Sequence, residues 1–227
     1  MYIISPLSQC ASPEKRDKFL EYIKKIAPVT LHTEPNCYAY AWFRSAGDNT
    51  TVPSHWLRGF EVYETAEANQ VAHRASDEYK AFRAAVSAEG LLSNPSDLRF
   101  WHPTGLGFLN KGGPTLFVPE GSSIQYIVTD EFVPKLRAKS QVFEELRSVV
   151  KVSQEDERVL TFWVQDRIGT FGEYPELEDD GAILVLVGSE LSNWLELEDG
   201  RLGSNQESDS LGGDRGTEMN QHSLMES

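Results

Sequence analysis

The chain has 227 residues and a formal net charge of −14, from 35 acidic and 21 basic side chains. This excess of negative charge disfavours a basic surface for binding nucleic acids. Hydrophobic residues make up 40% of the chain, which suffices for a substantial core and is far above a disordered composition. One large domain or two small ones fit this length.

The cysteines and the apolar runs bear on where the protein resides. Two cysteines, Cys10 and Cys37, cannot by themselves form a disulfide scaffold or a four-thiolate zinc site. We therefore expect reduced thiols in a cytoplasmic protein. Residues 1–10 lack the pattern of a leader, and the longest dense apolar run, 182–187, is far too short to cross a bilayer. Neither secretion nor membrane insertion is expected.

The first 101 residues predict an alternation of strands and helices. Apolar alternation indicates strands, and apolar residues at three- and four-residue spacings indicate helices. The predicted elements are a strand at 2–7, a helix that Ser12 caps and Pro28 helps to end, strands at 37–44 and 56–63, a long helix with a stripe from Ala68 to Val86, and a strand that ends at Trp101. This order is that of the split ferredoxin-like unit.

A weaker copy of this order follows a glycine- and proline-rich break at 110–114. Its predicted elements are a strand at 124–130, a helix at 136–150, a strand at 159–165 and one further candidate strand at 182–187. Tyr2 matches Tyr126 and Tyr38 matches Leu160, at offsets of 124 and 122 residues. This spacing indicates a tandem repeat. The second copy is incomplete, because nothing after it repeats the 68–86 stripe.

These patterns divide the chain into four parts. Residues 1–109 form the first ferredoxin-fold domain, 110–122 a linker, 123–195 the incomplete second repeat and 196–227 an acidic tail. The tail is rich in glycine, serine and acidic residues and has almost no aromatics. We expect it to be disordered, because it cannot bury enough apolar surface to offset the entropy of ordering it.

Two neighbouring segments carry a family resemblance. The segment 59–68, GFEVYETAEA, and the segment 73–82, HRASDEYKAF, resemble the antibiotic biosynthesis monooxygenase (ABM) domain of the dimeric α+β barrel superfamily. Tyr63 stands where the family often has tryptophan. The resemblance covers 1–101 well and 124–167 weakly. It implies an α+β fold, a ferredoxin-like dimeric α/β barrel with antiparallel sheets, in a fungal-type tandem arrangement. The two sheets would come from a pseudo-dimer within one chain or from a homodimer.

The same resemblance implies a monooxygenase that uses no bound cofactor, because the substrate anion itself reduces dioxygen. The expected partners are dioxygen and a small aromatic substrate of the polyketide type, an anthrone or hydroquinone, in secondary metabolism. Such a pocket must exclude water, hold a planar ring and assist its deprotonation. On this resemblance His73 is the catalytic candidate, and the candidate substrate-binding residues are Tyr38, Tyr40, Trp42, Trp56 and Trp101.

Other readings of these residues stay open. Aromatic residues on buried strands are more often core than substrate contacts, and His73, at the margin of its apolar stripe, could instead hydrogen-bond at the surface. A cyclase or dehydratase, or a non-catalytic module that binds a hydrophobic ligand or serves assembly, also fits the fold. Metal binding is not expected, because the histidines lack ligand spacing. Haem is disfavoured, since Phe82 and Arg83 stand where an axial histidine is required.

Overall fold

The computed structural model describes residues 1–46, 49–109, 125–135, 137–167, 182–190 and 218–222. In chain order its elements are β1 (Tyr2–Ile4), β2 (Leu7–Ser8), α1 (Pro13–Thr33), β3 (Cys37–Ser45), β4 (Leu57–Tyr63), a π-helix (Ala68–His73), α2 (Asp77–Ala88), β5 (Phe100–Phe108), β6 (Gln125–Phe132), α3 (Lys139–Glu155), β7 (Thr161–Arg167), β8 (Ile183–Glu190) and β9 (Glu218–His222). The predicted linker, 110–122, lies outside the described residues.

The first half forms an antiparallel sheet in the order β5–β1–β4–β3. This is the strand order of a ferredoxin-like unit, because the first and third strands are central and the second and fourth lie at the edges. The predicted α+β class with an antiparallel sheet is therefore confirmed. Helices α1 and α2 pack on one face of this sheet, through a core that includes Phe19, Ile23 and Phe82.

The remaining strands continue the same sheet. Strand β7 pairs with β5, and the order then runs β7–β8–β6–β9. Strand β9 lies between β6 and β3 and runs parallel to both, so the pairings return to the first half. Helix α3 packs outside β7 and β8 through Val150, Phe162 and Val164. The acidic tail, predicted to be disordered, lies mostly outside the described residues, but Glu218–His222 within it is a strand.

A hydrophobic core lies in the interior between the two groups of strands. It contains Phe60 and Val62 of β4, Trp101 of β5, and side chains of β6, β7 and β8, namely Ile127, Trp163, Leu184 and Leu186. The rings of Phe60 and Trp163 lie edge to face, with centroids 6.1 Å apart. The two halves are thus joined by side-chain packing as well as by strand pairing.

Ser12 caps α1 as predicted, but two other predictions for the helices of the first half were wrong. Helix α1 continues past Pro28 to Thr33, because its buried stripe extends to Thr30 and this packing offsets the hydrogen bond that proline removes. The predicted 68–86 helix is two elements. Ser76 has extended backbone geometry, and its Oγ accepts a hydrogen bond from the Tyr79 N–H at 3.2 Å, so α2 begins anew there.

A β-bulge corrects the predicted face of β3. The pairing register of β3 with β4 shifts between Cys37 and Ala39. The bulge leaves Tyr38 55% exposed, whereas Tyr40 and Trp42 pack against the core beneath the helices. Strict alternation predicted that Tyr38 shares a face with Tyr40 and Trp42. In the structure Tyr38 lies in a different environment from these two residues.

Candidate functional site

His73 is the last residue of the π-helix, and its side chain is 1% exposed. π-helical turns are rare and often occur at functional sites. The imidazole lies among three tyrosine rings, with centroid distances of 5.3 Å to Tyr40, 5.7 Å to Tyr63 and 5.1 Å to Tyr79. The histidine therefore faces an aromatic layer between the sheet and the helices, and not solvent.

Glu34 holds one nitrogen of this ring. The residue follows the last turn of α1, where its backbone N–H donates to the Thr30 carbonyl at 3.2 Å. Its carboxylate oxygens lie 3.1 Å and 3.0 Å from His73 Nδ1, and the Thr30 hydroxyl donates to the same carboxylate at 3.2 Å. A carboxylate in this position fixes the tautomer that carries hydrogen on Nδ1. Nε2 is then left with its lone pair.

His73 Nε2 is buried and has no hydrogen-bond partner among the residues that the structure describes. A buried polar atom without a partner costs free energy, so its presence calls for an explanation. In a neutral imidazole whose Nδ1 donates to a carboxylate, Nε2 is an acceptor. The arrangement can therefore take a proton from a group placed next to Nε2, and Glu34 can stabilise the imidazolium that forms.

A second buried carboxylate lies on β4 and bonds to one of the three tyrosines. Glu61 of β4 is 7% exposed, and its Oε2 accepts a hydrogen bond from the Tyr63 hydroxyl at 2.9 Å. Burial raises the pKa of Glu61. Desolvation, followed by the charge of Glu61, also raises the pKa values of Tyr40 and Tyr63 well above the usual range. These phenols therefore stay protonated at neutral pH and can donate hydrogen bonds.

The structure brings together only part of the predicted residue set. Tyr40 contacts His73, and Trp42 lies on the same sheet face, with its ring 5.1 Å from that of Phe19. Trp101 is fully buried on the opposite face, in the interior core. Trp56 is half-buried in the loop before β4, where its backbone N–H donates to the Pro53 carbonyl at 2.9 Å.

Sequence reasoning missed the two carboxylates of this site. Glu61 carried a usable signal, because an acidic residue in the middle of an otherwise apolar strand must be paired or protonated when both strand faces are buried. Glu34 carried none, since it lies 39 residues from His73 and follows a helix in an ordinary polar segment. Tyr63 and Tyr79 were read as parts of a strand and of a helical stripe.

Residues 7–85 match the model of the family described as antibiotic biosynthesis monooxygenase. This segment of the first half is thus similar to the ABM domain. His73, Glu34, Glu61 and the three surrounding tyrosines all lie inside the matched range. Among curated proteins, no relative of this chain was found.

Three solved structures are similar over more than four fifths of the chain. A proposed monooxygenase of Fusobacterium nucleatum is 11% identical, with 86% of this chain and 79% of that chain covered and a TM-score of 0.63. One from Lactobacillus acidophilus is 10% identical, with coverage of 85% and 79% and a TM-score of 0.59. An anthrone oxidase-like protein is 14% identical, with coverage of 92% and 80% and a TM-score of 0.55. At these identities the likeness shows the fold alone, and it extends beyond residues 7–85.

Two further findings concern the described residues as a whole. None of their helices combines the length and the apolarity that a bilayer crossing requires. Within the same residues, no group of three or more histidine, cysteine, aspartate or glutamate side chains is placed to hold a metal ion.

Proposed function

We propose that the protein is a monooxygenase that oxidises an anthrone or hydroquinone without a bound cofactor, with His73 Nε2 as the proton acceptor. The observation that carries this proposal is the unpartnered, buried Nε2 opposite an Nδ1 that bonds to Glu34. The match to the ABM family over residues 7–85 supports oxygenation as the reaction class. The name of the anthrone oxidase-like structure supports the choice of anthrones as first substrates to test.

The proposed reaction has a simple balance. Nε2 removes a proton from the hydroxyl of the substrate, or from the methylene carbon of an anthrone, and the resulting anion is electron-rich. This anion reduces dioxygen, and one oxygen atom leaves as water. The other enters an anthrone as a carbonyl, or enters a hydroquinone as a hydroxyl in place of one ring hydrogen while the two original hydroxyls become carbonyls. For an anthrone, two C–H bonds are lost and one C=O bond forms, so the substrate supplies all the electrons.

The surroundings of His73 suit this chemistry in two ways. Glu34 lies next to the imidazolium that forms when Nε2 takes the proton, and the attraction is strong because the pair is shielded from water. The neutral phenols of Tyr40 and Tyr79 offer a ring surface and hydrogen-bond donors for a flat oxyanion. The roles of Tyr38, Trp42, Trp56 and Trp101 as substrate contacts stay predictions.

We also propose that the chain is a tandem arrangement of two ABM-like units, a pseudo-dimer of the fungal type with an incomplete second repeat. Across the sheet, the first unit has the order β1–β4–β3 and the second has the order β6–β8–β7. In both units the third strand of the unit therefore lies between the first and the second. Strand β9 holds the edge position next to β6 that β5 holds next to β1, but it runs parallel to β6. A cytoplasmic location and a role in secondary metabolism belong to the same proposal.

Oxygen uptake by the purified full chain, with a panel of anthrones and hydroquinones and no added flavin or metal, tests the function. We expect substrate-dependent uptake, one atom of ¹⁸O in the product, and loss of turnover in His73→Ala. His32→Ala, an exposed histidine on α1, is the matched control and should retain turnover. A product of unchanged mass would indicate cyclisation instead. Absence of uptake across the panel would reject the oxygenase proposal.

A further inference from the structure

A group of charged side chains lies inside the ring of strands, on the sheet face opposite His73. Glu131 of β6 is its centre. Arg58 Nη2 lies 3.8 Å from Glu131 Oε2, and Arg167 Nη1 lies 3.7 Å from Glu131 Oε1. Arg99 contacts the same carboxylate. Arg99 also bonds to Asp97. We call Arg58, Arg99, Glu131, Gln165 and Arg167 the interior cluster.

Within the described residues, one edge of the Arg58 guanidinium makes no hydrogen bond, although its Nη2 lies 3.8 Å from Glu131 Oε2. The side chain is 1% exposed, and Nη1 donates to the Ser5 carbonyl at 3.0 Å. Nε and Nη2 have no hydrogen-bond partner within the described part of the chain. These two N–H groups point the same way from one edge of the guanidinium plane, which is the geometry that binds both oxygens of a carboxylate. Burial lowers the pKa of Arg58 to about 10, so the group remains charged at neutral pH.

Gln165 of β7 is fully buried, and neither its amide oxygen nor its amide nitrogen has a hydrogen-bond partner among the described residues. Side chains two positions apart on a strand share a face. Gln165 is two positions from Trp163, and Arg58 is two positions from Phe60, whose ring contacts Trp163. Arg58 and Gln165 therefore both face the interior and border the same aromatic contact.

The charges of the interior cluster do not balance. Among the described residues, the three guanidinium groups face two carboxylates, those of Glu131 and Asp97, which leaves one positive charge in excess next to the buried Arg58. An unpaired buried charge is costly, and a buried donor without an acceptor adds to that cost. One added anion with two acceptor oxygens would remove both penalties.

We propose that the interior cluster is a second binding site, for the carboxylate of a small monoanion with an apolar body. The carboxylate bonds to Arg58 Nε and Nη2, the Gln165 amide donates to the same group, and the apolar body lies against Phe60 and Trp163. The site is distinct from the proposed oxygenase site. Arg58 and Phe60 face the interior, whereas Glu61 and Tyr63 lie on the other face of the sheet, the face on which His73 lies.

Calorimetric titration of the full chain with benzoate tests this site, and benzamide is the neutral probe of the same shape. We expect one benzoate per chain, and affinity at least tenfold lower for benzamide. Arg58→Gln and Gln165→Leu should each weaken benzoate binding at least tenfold. Arg147→Gln, an arginine on α3 whose side chain is 61% exposed, is the matched control and should bind as the unaltered protein does.

Arg58→Lys keeps the charge but lacks the two-pronged edge, so it should also bind benzoate at least tenfold more weakly and keeps the test valid if Arg58→Gln does not fold. A crystal structure of the benzoate complex should show the carboxylate on Arg58. The proposal is overturned by absence of benzoate binding, by binding that His73→Ala abolishes and Arg58→Lys does not, or by a structure in which only water, or Glu131 itself, occupies the Arg58 edge.

Discussion

Glu34 and His73 form a buried pair although 39 residues separate them in the chain, with Glu34 Oε2 3.0 Å from His73 Nδ1. Glu34 immediately follows α1, and His73 ends the π-helix, so the pair joins the ends of two elements on the same side of the sheet. The contact selects which ring nitrogen carries hydrogen. Glu34 is accordingly a positioning residue in the proposed reaction.

Glu34→Gln should lower turnover of an oxidisable substrate about 100-fold or more, because an amide can hold either histidine tautomer and cannot stabilise the imidazolium. Oxygen uptake measures the rate. Glu144→Gln, on a side chain 73% exposed, is the control and should leave the rate unchanged. ¹⁵N chemical shifts of His73 supply a readout independent of turnover: the signature of hydrogen on Nδ1 should dominate in the unaltered protein and weaken in Glu34→Gln. Equal shifts in both proteins would show that Glu34 does not orient the ring.

Glu61 should make the protein less stable as the pH rises. Because burial raises its pKa in the folded state, the folded chain holds this proton more tightly than the unfolded chain. The stability that protonated Glu61 contributes is therefore complete at a pH below its pKa in the unfolded chain. This contribution is lost as the pH rises through the pKa of Glu61 in the folded chain. Glu61→Gln keeps an acceptor for the Tyr63 hydroxyl but cannot ionise. Urea unfolding at pH 5 and pH 8 should show the variant gaining stability relative to the unaltered protein at the higher pH. A constant difference would show that Glu61 is not desolvated.

The contact between Phe60 and Trp163 should be needed for the stability of both halves. Phe60→Ala removes a ring that is 1% exposed, and we expect the free energy of unfolding to fall by about 3–5 kcal/mol. Val152→Ala, on a side chain 68% exposed, should change it by less than about 0.5 kcal/mol. Tryptophan fluorescence in urea should give a single transition. Two separate transitions would mean that the halves unfold independently.

Gly107 should tolerate no side chain, because β5 approaches β7 too closely there. A Cβ at this position would lie 2.1 Å from the Phe162 carbonyl oxygen, and the backbone φ is +108°. We expect Gly107→Ala to cost about 3 kcal/mol or more in thermal or urea unfolding. Gly90→Ala has the same kind of backbone strain, φ +57°, but open space around the new atom, and should cost only about 1–2 kcal/mol. Similar costs for both variants would argue against this pairing of β5 with β7.

Both cysteines should be slow to react in the folded protein. Burial raises the pKa values of Cys10 and Cys37 to about 12, so very little thiolate is present at pH 8. Alkylation with iodoacetamide at that pH should be on the order of 10³-fold slower than in urea, where the thiols recover ordinary pKa values. Mass spectrometry identifies each modified residue. Rapid labelling of either thiol in the native state would show that its surroundings are open to solvent.

Local patterns in the sequence determined much of the fold. Alternating and helix-spaced apolar residues predicted the strands and helices, including the 182–187 strand, because these periodicities report which face is buried. Their order predicted the ferredoxin-like unit, and His73 was singled out by resemblance. The boundaries at Pro28 and Ser76 were missed, since the first depends on packing beyond the proline and the second on one cap.

The tertiary structure alone decided which side chains meet. Glu34 comes next to His73, and Arg58 next to Glu131, only after residues distant in sequence are packed together, and no local periodicity encodes such contacts. The bulge in β3 separated Tyr38 from Tyr40, and the sheet separated Trp101 from His73. The physical reason is that hydrophobic pattern specifies which surfaces are buried, whereas the partner of each buried polar atom depends on how the completed elements pack against one another.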